Sequence, residues 1–236
     1  LAIELAASRL RVLPAKKILE RLDHRFKLLK GSETGGRHST LEATIDWSFE
    51  CLAPREKDLF LNLAVFSGSF SLEAVESVFA ADPTDSTEVL DLLQQLIDHS
   101  LVAIAAQLEI GYRYHLLETI REYASERATS AGVLLPLTRH ADFYLGLTRE
   151  ARDGLTGPGQ QLWLEVLDYD LPNITKAMET LRAERPEDAL EIGANLGRYW
   201  FTSGLLTQGC NQLERLPLDL VADSASKAKV FNSLGN

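Results

Sequence analysis

Residues 111–128, GYRYHLLETIREYASERA, change hydrophobic period partway along, and that change decides the fold. In the first part Tyr112, Tyr114 and Leu116 alternate with Arg113 and His115. A period of two predicts a short strand with Tyr112, Tyr114 and Leu116 on its buried face. From Leu116 the spacing becomes helical. Leu116, Leu117, Ile120, Tyr123 and Ala124 share one face; Glu118, Arg121, Glu122, Ser125 and Glu126 share the other. A strand running straight into an amphipathic helix fixes the angle between them, so this stretch joins the upstream half of the chain to the downstream half.

Immediately upstream, residues 101–106 read as the partner strand and 107–111 as the turn of a hairpin. Four helices come before it. Ser39 and Glu42 form a capping box that starts the first near Thr40, with Leu41, Ile45, Ser48 or Phe49, and Leu52 on its buried side. Pro54 opens the second, which turns Leu59, Phe60 and Leu63 inward and is broken by Gly68. Ser71 caps the third, which carries Leu72, Val75 and Phe79. Asp85 and Glu88 make a capping box for the fourth, 87–99, whose apolar side is Val89, Leu93, Leu96 and Ile97. Helices, then a hairpin, then another helix outline a winged helix-turn-helix domain over 39–132.

Residues 1–38 read as a helical segment in which Pro14 opens a helix with Ile18, Leu22, Phe26 and Leu29 as its stripe. After Gly132 the pattern is helical throughout: 136–153, 160–170, 172–184, 187–203, 205–215 and 223–236, punctuated by the loop 156–159 and by Pro172, Pro186 and Pro217. Helices at such spacing bury their faces by stacking in pairs, so 133–236 reads as a truncated, tetratricopeptide-like array. The fold class is mainly α, with one small β-hairpin.

The composition is that of a soluble globular protein, with 45% hydrophobic and 25% charged residues, and no apolar run long enough to span a membrane. No signal peptide pattern opens the chain, which does not begin with Met; it reads as a piece of a longer, cytoplasmic protein. Cys51 and Cys210 read as two buried free thiols. The net charge of −10 is uneven. Residues 1–39 hold nine Lys/Arg against four Asp/Glu, a net of +5, and the remainder holds 15 against 30, a net of −15. The first segment suits an anionic surface or partner, and the rest repels nucleic acid at long range.

No catalytic or metal constellation emerges. Gly31 and Gly36 have phosphate-loop spacing, but Arg37 and His38 stand where Lys and Ser/Thr belong, and the loop follows a helix instead of a strand. Asp168 and Asp170 read as a cap or solvated face, pointing different ways. His24, His99 and His115 read as helix-end or surface histidines, and Trp47, Trp163 and Trp200 as core anchors. In a winged helix the helix before the hairpin enters the major groove. Here that helix offers Glu88, Asp91 and Asp98 with no Lys or Arg, and the wing offers only Arg113. Direct DNA binding by this segment is therefore not expected, because each carboxylate opposes the approach to phosphates.

Several segments, taken in order, carry a family resemblance: LAIELAASRLRVL, LEATIDWSFECLAPREKDLFLNLAVFSGSFSLEAVE, LLQQLIDHSLV and YRYHLLETIREYASERA. Together they resemble the bacterial signal-transduction ATPases with numerous domains, the NB-ARC-like group, many of them LuxR-type or cyclase-linked transcriptional regulators. LDYDLPNITKAMETL is similar to the start of their tetratricopeptide-type region. The resemblance implies that 1–38 completes an upstream ATPase module, and that ATP or ADP with Mg is bound by the parent protein and not by this segment. It implies no enzyme activity here, an upstream nucleotide-binding domain as one partner, and a protein partner on the C-terminal helices. The position where eukaryotic members carry a diphosphate-contacting histidine falls on Leu117, followed by Glu118; leucine cannot donate to phosphate, so no ligand residue carries over. The expected function is regulatory, coupling nucleotide state to sensor helices. Two other readings stand beside it: a DNA-binding transcription factor using its own winged helix, and a helical interaction scaffold.

Overall fold

The structure is a computed structural model that describes residues 37–79, 86–216, 227, 228 and 230. The helix predicted from Pro14, the loop containing Gly31, His24, the cap residue Asp85 and nearly all of the helix expected over 223–236 lie outside the described residues. In chain order the elements are α1 (Arg37–Glu50), α2 (Pro54–Asn62), a single 3-10 turn (Leu63–Val65), β1 (Ser69–Phe70), α3 (Leu72–Phe79), α4 (Ser86–Asp98), β2 (Ala103–Leu108), β3 (Gly111–His115), α5 (Glu118–Ser130), α6 (Leu137–Gly154), α7 (Gln160–Glu184), α8 (Pro186–Thr202) and α9 (Leu206–Glu214). The fold is mainly helical with a small three-stranded antiparallel sheet, in the order β1-β3-β2. The winged helix-turn-helix order of helices and hairpin is present, with β1 as a strand too short to show in the sequence pattern.

Local signals account for several helix ends. The Ala53 N–H donates to the Glu56 carboxylate at 2.8 Å beside Pro54, so α2 starts with one orphan donor satisfied and another absent. The Ser71 hydroxyl accepts the Ala74 N–H at 3.2 Å, as expected of a cap. α1, by contrast, begins at Arg37, so Ser39 lies inside the helix and does not cap it. α4 ends without glycine. Ser100 takes the left-handed conformation (φ 56°), its N–H reaching the Ile97 carbonyl at 2.8 Å while the Leu101 N–H reaches the Leu96 carbonyl at 2.9 Å. This is a Schellman closure held by burial of Leu96 and Leu101 at 0% and 1% exposure.

The chain divides into two compact units. The first takes residues up to Ala64 together with Phe79–Gln107 and Tyr112–Leu135. Phe49, Phe60 and Tyr123 form an aromatic cluster there, with ring centroids 5.7–6.4 Å apart. Asp46 accepts bonds from the Tyr123 hydroxyl and the Arg127 guanidinium, and Arg127 Nε donates to the same hydroxyl at 2.9 Å. The guanidinium also lies over the Phe49 and Tyr123 rings. Through these contacts α5 is fastened to α1. Ile120, Tyr123, Ala124 and Ala128 are buried as their spacing predicts, while Leu117 is 40% exposed and so departs from the stripe.

The strand before α5 corrects the sequence reading. Tyr112 is 47% exposed and Arg113 is 2% exposed, with Tyr114 and Leu116 buried. β3 is the central strand, covered on both faces at Arg113 and Tyr114, so a period of two has no solvent face to report.

The second unit takes Val65–Val78, Leu108–Gly111 and the helices from Pro136 onward. Here α6, α7, α8 and α9 pack one on the next around Tyr144, Leu167, Ile174, Leu190 and Tyr199. α7 runs unbroken for 25 residues with Pro172 inside it, where two helices were expected. An interior proline costs a helix about 3 kcal/mol. The Pro172 ring lies beside Gly68, close enough that a side chain at that position would touch it.

Ile120, at 1% exposure, tests the buried face of α5. Ile120→Asp is expected to remove about 2–4 kcal/mol, the scale of placing an unpaired charge in an apolar site. Urea denaturation that finds the midpoint unmoved would refute the packing described.

Candidate nucleic-acid interface

Val89, Leu93 and Leu96 of α4 are at most 1% exposed, which seats that side of the helix in the first unit. The opposite side presents Asp91, Gln94, Gln95 and Asp98, all exposed, at i, i+3, i+4 and i+7, and so in one stripe. Leu90 stands beside it at 46% exposure. The Gln94 amide donates to the Asp98 carboxylate at 3.2 Å. Glu88, at the start of the helix, receives a two-pronged ion pair from Arg55 at 2.8 and 2.9 Å, which holds its carboxyl below the usual carboxylate range. Of the three acids expected on this helix, one is thus already matched by a cation. The wing adds Ile104 and Tyr112, 52% and 47% exposed, whereas Arg113, expected as its outward cation, is buried.

The residues at the expected nucleotide-sensing position fall at the start of α5. Leu117 is the extended residue before the first turn, and Glu118 pairs with Arg121 in that turn. Glu118 also sits where an anion complements the helix dipole. Asp168 and Asp170 do face different ways, Asp168 exposed and Asp170 buried. Asp168 accepts the Tyr199 hydroxyl at 2.7 Å and Asp170, 2% exposed, accepts the Tyr144 hydroxyl at 3.3 Å. Of the expected buried thiols, Cys51 is exposed and Cys210 half-buried; both are free. Trp47 and Trp200 are core residues, at 6% and 2% exposure. Among the described residues no group of three or more His, Cys, Asp or Glu side chains could hold a metal ion, and no helix is long and apolar enough to cross a membrane.

A polar joint with no signal in the sequence lies in the second unit. The Asn173 side chain, 0% exposed, accepts the Ser67 N–H at 2.7 Å and donates to the Ser69 carbonyl at 2.7 Å. His140 Nε2 lies 3.3 Å from the same Asn173 oxygen. That oxygen can only accept, so His140 carries its proton on Nε2, leaving Nδ1 as a buried acceptor with no hydrogen-bond partner among the described residues. Phe66 and Tyr144 flank the imidazole, with centroids 5.4 and 4.8 Å away. Burial pushes the His140 pKa down from 6.5 to about 4, with nearby Lys176 adding to the effect and the Asn173 bond opposing it.

Against known proteins, residues 52–129 match the winged helix-turn-helix domain family. Two mycobacterial proteins named as HTH-type transcriptional regulators, from Mycobacterium tuberculosis (strain H37Rv) and Mycobacterium bovis, are each 36% identical over 212 residues, 89% of this chain and 24% of theirs. An uncharacterized protein of M. tuberculosis (strain H37Rv) is 36% identical over 136 residues, 56% of this chain and 34% of its own. The chain therefore spans about a quarter of the length of the regulators it matches. A solved structure, the signal-transduction ATPase with numerous domains and a tetratricopeptide repeat sensor from Pyrococcus horikoshii, aligns over 98% of this chain and 36% of that one, at 16% identity and a TM-score of 0.37. A likeness of that size carries no argument about this fold.

These matches overturn the expectation that direct DNA binding does not occur here. That expectation treats phosphate attraction as a requirement on the groove helix itself. Phosphate contacts and base contacts are separable tasks, and the glutamine amide reads an adenine edge without bearing charge. Gln94 and Gln95 stand side by side in the sequence of that helix. A search for Lys and Arg alone passes over them.

His140 supplies a prediction with a definite sign. Its folded pKa lies below its unfolded value, so the unfolded chain binds more protons between pH 6.5 and 4. Its contribution is full above pH 6.5 and lost as pH falls toward 4, about 3 kcal/mol in all at about 1.4 kcal/mol per pH unit. Stability of the chain measured across this window against His140→Phe should show a shallower slope in the variant. Equal slopes would mean that the histidine is not buried neutral.

Proposed function

We propose that this chain is the DNA-contacting part of a bacterial transcriptional regulator, with α4 as the helix that meets base edges. The observation that carries the reading is the exposed stripe Asp91–Gln94–Gln95–Asp98, on the helix before the hairpin of a chain whose residues 52–129 match the winged helix-turn-helix family. The glutamines supply donor and acceptor pairs for adenine. Phosphate attraction comes from elsewhere, and the net +5 of residues 1–39 is the positive stretch available for it. The names of the mycobacterial relatives support transcription regulation as the setting.

The test is enrichment of a randomised duplex library on the chain, then anisotropy titration of the recovered duplex across a salt series. Gln95→Ala should weaken binding to the enriched duplex by about 5- to 150-fold, the range for one lost two-pronged base contact, with little effect on unrelated DNA. Asp91→Asn should strengthen binding to every duplex, because it removes a charge that opposes phosphate. No enrichment of any sequence, or a Gln95→Ala chain equal to the parent, would sink the proposal.

A second reading concerns the protein of which this chain is a quarter-length match: a signal-transduction ATPase in which nucleotide state is coupled to sensor helices through the winged helix. It draws on the sequence resemblance and on the greater length of the relatives. Under it the nucleotide, with Mg, is held by a domain that is not this chain. Calorimetric titration of the chain with ATP and ADP should then give no heat of binding, and micromolar affinity would show that this division of labour is wrong.

A further inference from the structure

The region matched by the winged-helix family does not fall within one compact unit. Val65–Val78, which holds β1 and most of α3, clusters with the C-terminal helices, although it lies inside residues 52–129. The side chains responsible come from α6 and α7. Asn173 satisfies the backbone on both sides of Gly68, taking the Ser67 N–H and giving to the Ser69 carbonyl. Gly68 itself, at φ +87°, turns the chain beside Pro172, in a conformation that L side chains rarely adopt. The Ser69 hydroxyl reaches the Tyr169 carbonyl at 3.4 Å. Phe66 stacks on Phe70 at 4.6 Å, and both are at most 1% exposed. Arg139 of α6 donates to the Val78 carbonyl at 3.3 Å near the other end of α3. Contacts therefore hold the segment at its start and near its finish.

A two-residue strand cannot position itself. It has too few ladder bonds, and an isolated short pairing is marginal in water. The amide of Asn173, itself buried, replaces what the ladder lacks with two part-buried bonds to the backbone. The amide is in turn oriented by His140, whose Nε2–H can bond only to its oxygen side. Pro172, one residue before Asn173 within α7, lies beside Gly68.

We propose that Asn173 is a positioning residue through which α7 sets the conformation of the segment that holds β1 and most of α3. Loosening of that one clamp shifts the population of an ordered segment without a global rearrangement.

Hydrogen exchange read by mass spectrometry on the 236-residue chain tests the positioning role. In Asn173→Ala, amides of 67–78 should exchange at least tenfold faster while those of α5 keep their protection. His140→Phe, which keeps the ring and removes the orienting bond, should give a smaller acceleration in the same segment, and it serves if the alanine variant does not fold. Unchanged exchange over 67–78 in a folded variant would overturn the positioning role, as would acceleration spread evenly over the whole chain.

Discussion

The amide of Asn173 closes two backbone hydrogen bonds that the short segment around Gly68 cannot close for itself, and the order of that segment depends on it. Backbone polar groups removed from water have to be matched, and a strand of two residues matches almost none. The protein solves this with a side chain from α7, more than a hundred residues away in sequence. The cost is a helix that carries a proline at its middle and a histidine kept neutral beside it. Both become understandable once the clamp is seen as the thing being served.

Each unit has its own way of tying distant helices together. In the first, Asp46, Tyr123 and Arg127 share a carboxylate, a hydroxyl and a guanidinium across α1 and α5. Charge-assisted bonds of this kind are strong where water is partly excluded, and the guanidinium gains further by lying over two aromatic rings. In the second, neutral or singly charged groups run along α6: His140 to Asn173, Tyr144 to Asp170, Thr148 with Asn195. Their spacing of four residues puts them on one helical face. An apolar stripe would pack as well but would tolerate sliding; polar pairs fix the register between helices.

Much of the fold is legible because its signals are local. Pro54, Ser71 and the apolar spacing of α4 and α5 act within a few residues, and the helices they predict are present. The failures share one cause. Arg113 and Tyr112 exchange their expected exposures because β3 is covered on both faces at Arg113 and Tyr114, and strand periodicity cannot report what covers a face. Pro172 looks like a helix end because the residue that lies beside it, Gly68, is far off in sequence. Asn173 has no local signature at all. On α4 the residues are visible, but a filter for positive charge excludes the two glutamines, which is an error of chemistry and not of pattern.

β2 closes one margin of the sheet, and its sequence, AIAAQL, contains no charge and no proline. Ala103, Ile104 and Ala105 are all exposed along it. Strands in that position are ordinarily guarded by a lysine, a bulge or a proline, because their free N–H and C=O groups will pair with whatever extended chain arrives. In a chain with a net charge of −10, mutual repulsion keeps copies apart in dilute, low-salt solution. Added salt screens that repulsion, and among the described residues the β2 margin is then the place where an extended segment of another copy can add to the sheet.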